Sequence, residues 1–298
     1  MEAVPLSVTD AVGWVVIAAF VATWAFESRD RIARAFGAAA WGTFGVFWLL
    51  LIPRFAFVMR SPIETVLSAV AVPACFYAGY LLWSGRDTLF TLGRAVAVMG
   101  LVYLPFETIP LFRRLAVETV ASHAYMAITW LGYEVTLTAG PEYGYQSGLE
   151  FVRDGHTYAT HIVLACTGLG SMTIFAGLIA ALDAPLGRKL KALAAAVGII
   201  YVLNIVRNVF IAVAFGEQWF QVFVAEISTL VGYEDPGLVS YFIADRVISQ
   251  SLSLLALAAI AILVVRIVPE LLSLLEEAVY VVARTEIDLE RVFPVDER

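Results

Sequence analysis

The chain has 298 residues, 61% hydrophobic and 15% charged, with a formal net charge of −7. Soluble domains carry about 45–50% apolar and about 25% charged residues, so a soluble globular fold is excluded. The acidic side chains lie mostly outside the apolar runs, and an acidic surface of this kind argues against nucleic acid as a partner.

Several apolar runs reach the ~18 residues or more needed to cross ~30 Å of hydrocarbon. The expected class is all-α: a polytopic transmembrane bundle of about seven spanning helices with interfacial amphipathic helices. No hydrophilic linker divides the runs, so residues 1–268 are expected to form a single transmembrane bundle and 269–298 a charged, amphipathic cytoplasmic tail.

In chain order, the first run covers 9–26, long enough to span and without the basic flank of a cleavable signal peptide. Spans are expected next at 36–53, 63–83 and 88–105. Cys75, in VPACFYAG, reads as a small buried hydrophobe. Residues 106–157 interrupt the pattern. Their first part, RRLAVETVASHAYMAITWLGY, carries Arg113, Arg114, Glu118 and His123 and suits an interfacial amphipathic helix, with a short re-entrant or an extra spanning helix as the competing reading. Their second part, AGPEYGYQSGLEFVRDGHTY, is rich in Gly, Tyr and turn residues and reads as loop. The remaining spans are expected at 158–182, 190–215 and 239–268.

Orientation follows from Lys and Arg in short loops. Arg29, Arg31 and Arg34, then Arg86 and Arg94, then Arg188, Lys189 and Lys191 fall on one side, which becomes the cytoplasm. The N-terminus is then outside and the C-terminus inside, while Arg54, Arg60, Arg113 and Arg114 run against the assignment. The two lysines are outnumbered by arginine, a usage that, with the acidic surface, suits a GC-rich genome and a salty habitat.

Three side chains stand out: Cys166 in THIVLACTGLGS, Arg207 in YVLNIVRNVF and Arg246 in YFIADRVISQ. An arginine near the centre of a spanning helix costs roughly 2.5–3.5 kcal/mol on insertion scales. At ~1.5 Å per residue each of the three is expected roughly 10–14 Å below the outer interface. Two arginines flanking a cysteine suggest a thiol held as thiolate and used in acyl transfer. Arginine stays protonated near neutral pH, so its roles are to pair with the thiolate, grip an anionic group or stabilise an oxyanion. Asn204, Thr167, Gly168 and His161 are candidates for supporting the nucleophile or binding substrate. Gly168 and Gly170 permit close approach of backbone or ligand.

Structural readings stand beside these. Arg207 is open to neutralisation by Asn204 or by lipid phosphate, and Arg246 to snorkelling. Asp245 need not pair with Arg246, because neighbours on an α-helix point apart. His123, His156 and His161 form no metal-ligand spacing, and no cofactor is expected.

At these residues the chain resembles the exosortase/archaeosortase family. The resemblance rests on Ala165-Cys166-Thr167-Gly168, on Asn204-Ile205-Val206-Arg207-Asn208 and on Asp245-Arg246, the last with Arg as in the archaeal branch. It covers about 155–265, and the N-terminal half matches only as a generic apolar bundle. The resemblance implies a membrane cysteine transpeptidase working on the extracytoplasmic side. Its substrates would be secreted surface proteins of the surface-layer glycoprotein class. Each would carry a C-terminal signal: a Pro-Gly-Phe-type motif, a spanning helix and a basic tail. The new C-terminus would pass to a membrane lipid amine. By the same resemblance Cys166 is the nucleophile, Arg207 orients it and stabilises charge, and Arg246 takes the acid/stabiliser role. Two alternatives stay open: an intramembrane cysteine protease that only hydrolyses, and a transporter or binder using the two arginines to hold an anionic ligand.

Overall fold

The computed structural model describes residues 7–25, 31–58, 62–286, 288–289 and 291. Arg29, Arg60 and the last part of the charged tail, on which the sequence reading drew, lie outside the described residues. The all-α class holds. Among the described residues, six helical stretches are long and apolar enough to cross a membrane: Val8–Ala25, Arg31–Val58, Glu64–Trp83, Leu89–Thr108, Leu186–Gly216 and Leu238–Ile267.

The chain divides into two compact units. The first comprises 1–108, 173–195 and 264–298. Within it α1 (Val8–Ala25), α2 (Arg31–Pro53), α3 (Pro62–Trp83) and α4 (Leu89–Thr108) pack on one another. Their sequences are apolar around the whole circumference, as expected of helices that face lipid on one side and protein on the other. Phe20 of α1 meets Trp41 of α2 edge to face at 5.2 Å, and Cys75 is buried in the same cluster, as its apolar surroundings in the sequence suggest. α11 (Leu271–Ala283), the helix of the tail, packs on α3 and α4 and lends Val281 to that core.

Basic residues of this unit are held by acids. Arg34 grips Asp87 through two 2.9 Å bonds, and Arg86 grips Glu277 at 2.6 and 3.0 Å. Arg188 grips Glu270 at 2.6 and 3.1 Å. Lys189 donates to the carbonyls of Ala180 and Leu182, which close the C-terminal end of α6 (Leu169–Ala181). The start of α2, the α3–α4 turn, the start of α7 (Leu186–Gly216) and α11 are thereby tied at one end of the unit.

The second unit comprises 109–172 and 196–263. α5 (Pro110–Trp130) begins where Ile109, held extended before a proline, breaks the chain away from α4. Its buried stripe of Val117, Val120, Ala121, Ala124 and Ile128 packs on the strands that follow. Those strands correct the loop reading of the second half of 106–157: β1 (Thr136–Ala139), β2 (Gln146–Arg153) and β3 (His156–His161) form an antiparallel sheet in that order. The β2–β3 turn is Asp154-Gly155, both at positive φ (51° and 78°), the pairing that matches a two-residue hairpin to strand twist. Leu149 and Phe151, two apart on β2, are buried in the unit's core. The charged residues of α5 serve this arrangement. Glu118 accepts from Arg114 and from the backbone of Gln146, Arg113 lies over the Tyr143 ring at 4.8 Å, and His123 bonds Tyr201 at 2.6 Å.

The expected span at 158–182 is also corrected. The chain enters it as β3, turns through a short 3-10 segment (Leu164–Thr167), and becomes α-helical only at Leu169. The last long stretch consists of α9 (Leu238–Phe242), a π-helical turn (Ile243–Ser249) and α10 (Gln250–Ile267); α8 (Val224–Val231) precedes it.

At Gly216 an added Cβ would meet the buried Phe151 ring at 2.3 Å. Gly216→Ala is therefore expected to lower the melting temperature of the detergent-solubilised protein, at the ~1–3 kcal/mol typical of overpacking. An unchanged melting curve would contradict this close packing of β2 on α7.

Candidate active site

Cys166, Arg207 and Arg246 all belong to the second unit, each on a different element. Cys166 is not in mid-helix. It sits in the 3-10 turn between β3 and α6, half-buried, beside the cluster formed by Val117, Ala121, Ile162 and Val213. Its position there depends on one face of α7. Asn204 Nδ2 donates to the Cys166 carbonyl at 2.6 Å and Asn208 Nδ2 donates to the same oxygen at 2.8 Å. Residues four apart on an α-helix share a face, which is why two amides converge on one acceptor. Asn208 also donates to the Asn204 carbonyl at 2.9 Å.

Gly168 ends the turn at φ 77°, the left-handed region that other residues enter at a cost. An added Cβ there would lie 3.1 Å from Asn204 Cγ, so this glycine serves both conformation and close approach. Gly170 does not: a Cβ at that position meets nothing within 4 Å. Thr167 turns its hydroxyl inward, donating to Leu164 O at 2.6 Å and accepting from Leu169 N at 3.3 Å, which stabilises the turn from within. His161 ends β3 opposite Gly148, exposed, and makes no hydrogen bond to the thiol among the described residues.

Arg207 lies on α7 between the two asparagines. Among the described residues its hydrogen-bond partner is Asp245, not Asn204, with Oδ1 2.5 Å from Nη2. Asp245 also faces its neighbour Arg246, Nε to Oδ2 at 3.5 Å. The expectation that adjacent residues point apart assumes ~100° per residue of α-helix. Here both lie in the π-helical turn, where i→i+5 bonding places more residues in each turn and brings neighbouring side chains closer in direction. Asp245 is the most enclosed of the three, with its side chain 10% exposed against 26% for Arg207 and 42% for Arg246. Two guanidiniums against one carboxylate leave one net positive charge. Tyr241, one turn before Asp245, is close enough to interact with both Asp245 and Cys166.

All three charges act on the thiol. Cys166 lies in the turn, outside the apolar spans, and burial pushes its thiol up from the ordinary value. A backbone hydrogen bond at Val163 and the two guanidiniums pull it down, while Asp245 works with burial. The net direction is upward. Sequence reasoning named Asn208 and Asp245 only as motif neighbours of the arginines, assigned them no part in the site, and did not name Tyr241. An acid beside a basic residue within an apolar run was the available signal for Asp245. Among the described residues no group of three or more His, Cys, Asp or Glu side chains is placed to hold a metal ion.

A family described as transmembrane exosortase (Exosortase_EpsH) matches residues 7–233. The chain is 49% identical to "Archaeosortase A" of Haloferax volcanii, over 98% of this chain and 100% of that protein. It is 47% identical to "Archaeosortase A" of Natronomonas pharaonis, over 97% of this chain and 93% of that protein. The likeness thus reaches through the N-terminal half, which reads in the sequence only as a generic bundle. No solved structure matches.

The two glycines are expected to separate. Gly168→Ala should destabilise the protein by ~1–2 kcal/mol of left-handed strain, seen as a lower melting temperature, and change the alkylation rate of Cys166, measured in a Cys75→Ala background. Gly170→Ala, in an open helical position, should leave both unchanged or raise stability slightly, by ~0.5–1 kcal/mol. Equal effects of the two substitutions would contradict the geometry of the turn.

Proposed function

The chain belongs to the transmembrane exosortase family, and from that premise we propose that it is a membrane cysteine transpeptidase. Its substrates are secreted surface proteins with a C-terminal sorting signal of a Pro-Gly-Phe-type motif, a spanning helix and a basic tail. It cleaves near the motif and passes the new C-terminus to a membrane lipid amine. The observation that carries this reading is the Cys166 turn itself: a cysteine fixed through its own carbonyl by Asn204 and Asn208, with the Arg207–Asp245–Arg246 cluster acting on its sulfur.

Each residue has a chemical part. Cys166 Sγ attacks the scissile carbonyl, the C–N bond breaks, and the proton that left the thiol ends on the departing amine. The product is a thioester on Cys166. The acceptor amine then attacks that thioester, a new amide forms, and the thiol is restored. The net positive charge of the cluster suits the oxyanion that develops in both steps. Arg246, the more exposed guanidinium, is placed to meet substrate, and Arg207, locked on Asp245, is the fixed one. The ion pairs of Arg34, Arg86 and Arg188 support placing that end of the first unit in the cytoplasm.

The test is lipid labelling and mass analysis of a candidate surface protein in cells carrying the wild type, Cys166→Ala, Cys166→Ser, Arg207→Ala or Arg246→Ala. A trimmed, lipid-modified substrate is expected with the wild type alone. Trimming without lipid would favour hydrolysis. Full activity of Cys166→Ser alongside loss in both arginine variants would favour binding of an anionic ligand and contradict the enzyme.

A further inference from the structure

We infer that Asp245 is a positioning residue whose single carboxylate holds Arg207 and Arg246 together beside Cys166, and that the π-helical turn exists to let it do so. This deepens the proposed transpeptidase and rests on that reading. Three observations converge. The carboxylate divides its oxygens, Oδ1 to Arg207 at 2.5 Å and Oδ2 to Arg246 at 3.5 Å. It is the most enclosed charged side chain of the cluster. The segment that carries it, Ile243–Ser249, is π-helical within an otherwise α-helical stretch, a local departure found frequently at functional sites.

The two arginines have like charge and act on the same thiol. Without an acid between them, their repulsion in an apolar setting would drive one away. Asp245 removes that repulsion and makes the pair unequal. Arg207 is tightly bound and fixed to α7 between the two asparagines that hold the Cys166 carbonyl. Arg246 is loosely bound and more exposed, free to shift toward a carbonyl oxygen without losing its counter-charge. Asp245 touches neither substrate nor sulfur in this scheme; it acts through the arginines. Its charge has a second consequence, because it opposes formation of the thiolate that the arginines favour.

The experiment uses the full-length protein in detergent or liposomes, with Cys75→Ala as background so that iodoacetamide reports on Cys166 alone. Asp245→Asn and Asp245→Glu are compared for melting temperature, for the pH profile of alkylation, and for kcat and KM on a signal-bearing substrate. Asp245→Asn should alkylate at lower pH than its parent, because the opposing charge is gone while both guanidiniums remain. Processing should fall by roughly a hundredfold, mainly in kcat, as expected for misplaced catalytic groups. Asp245→Glu keeps the charge and lengthens the arm. It should retain the parental alkylation profile and recover part of kcat. A mere packing role would not move the alkylation profile in this direction; if Asp245→Asn fails to fold, Asp245→Glu carries the test through kcat at unchanged profile. The proposal is overturned by an unshifted profile and near-normal kcat in Asp245→Asn, or by wild-type kcat in Asp245→Glu. Alkylation needs no substrate, so a shifted profile with no processing by the parent would sink the transpeptidase reading and leave the placement of Asp245 standing.

Discussion

A guanidinium in an apolar bundle requires a counter-charge, and the bond from Arg207 to Asp245 is the contact on which the rest of the site depends. It ties α7 to the π-helical turn. On either side of Arg207, Asn204 and Asn208 tie the same helix to the carbonyl of Cys166. One helical face thus fixes both the thiol and the charge that acts on it. The sheet and α5 support the arrangement from behind: β3 delivers the chain into the Cys166 turn, and the turn packs on α5 and on the core built around Leu149 and Phe151.

The arrangement reconciles opposing demands on the cysteine. Burial favours the neutral thiol and protects it, while a net positive charge beside it favours the thiolate when acyl transfer calls for one. Loss of either arginine or of the acid would change that balance in a different direction. Short bonds hold Cys166 and Arg207, consistent with a site that keeps these two groups in fixed relation while Arg246 stays free to shift.

Most of the bundle was legible in the sequence because hydropathy alone decides whether a long helix is apolar enough to span. The sequence named Cys166, Arg207 and Arg246 together, although its equal-depth argument placed Cys166 within a helix where the structure has a 3-10 turn. The sheet was missed because its strands are short and interrupted by Gly and Tyr, which read as turn. The Asp154-Gly155 pair between QSGLEFVR and HTYATH was a hairpin signal that the composition obscured. Placing Cys166 in mid-helix followed from that omission, as the apolar run continues without a visible break from β3 into α6. Asp245 was discounted by α-helical geometry that does not hold in a π turn. The convergence of Asn204 and Asn208 on one carbonyl was only half visible, because the sequence gives the face but not its acceptor.

The most direct measurement is of the bond that transpeptidation requires on Cys166. Wild-type protein mixed with a signal-bearing substrate would be quenched in acid at short times, and Cys166 peptides would be analysed by mass with and without neutral hydroxylamine. The account predicts a substrate fragment joined to Cys166 through a hydroxylamine-labile thioester, rising and falling as lipid-modified product accumulates. Product formed with no adduct on Cys166 at any time, or formed equally by Cys166→Ala, would contradict it.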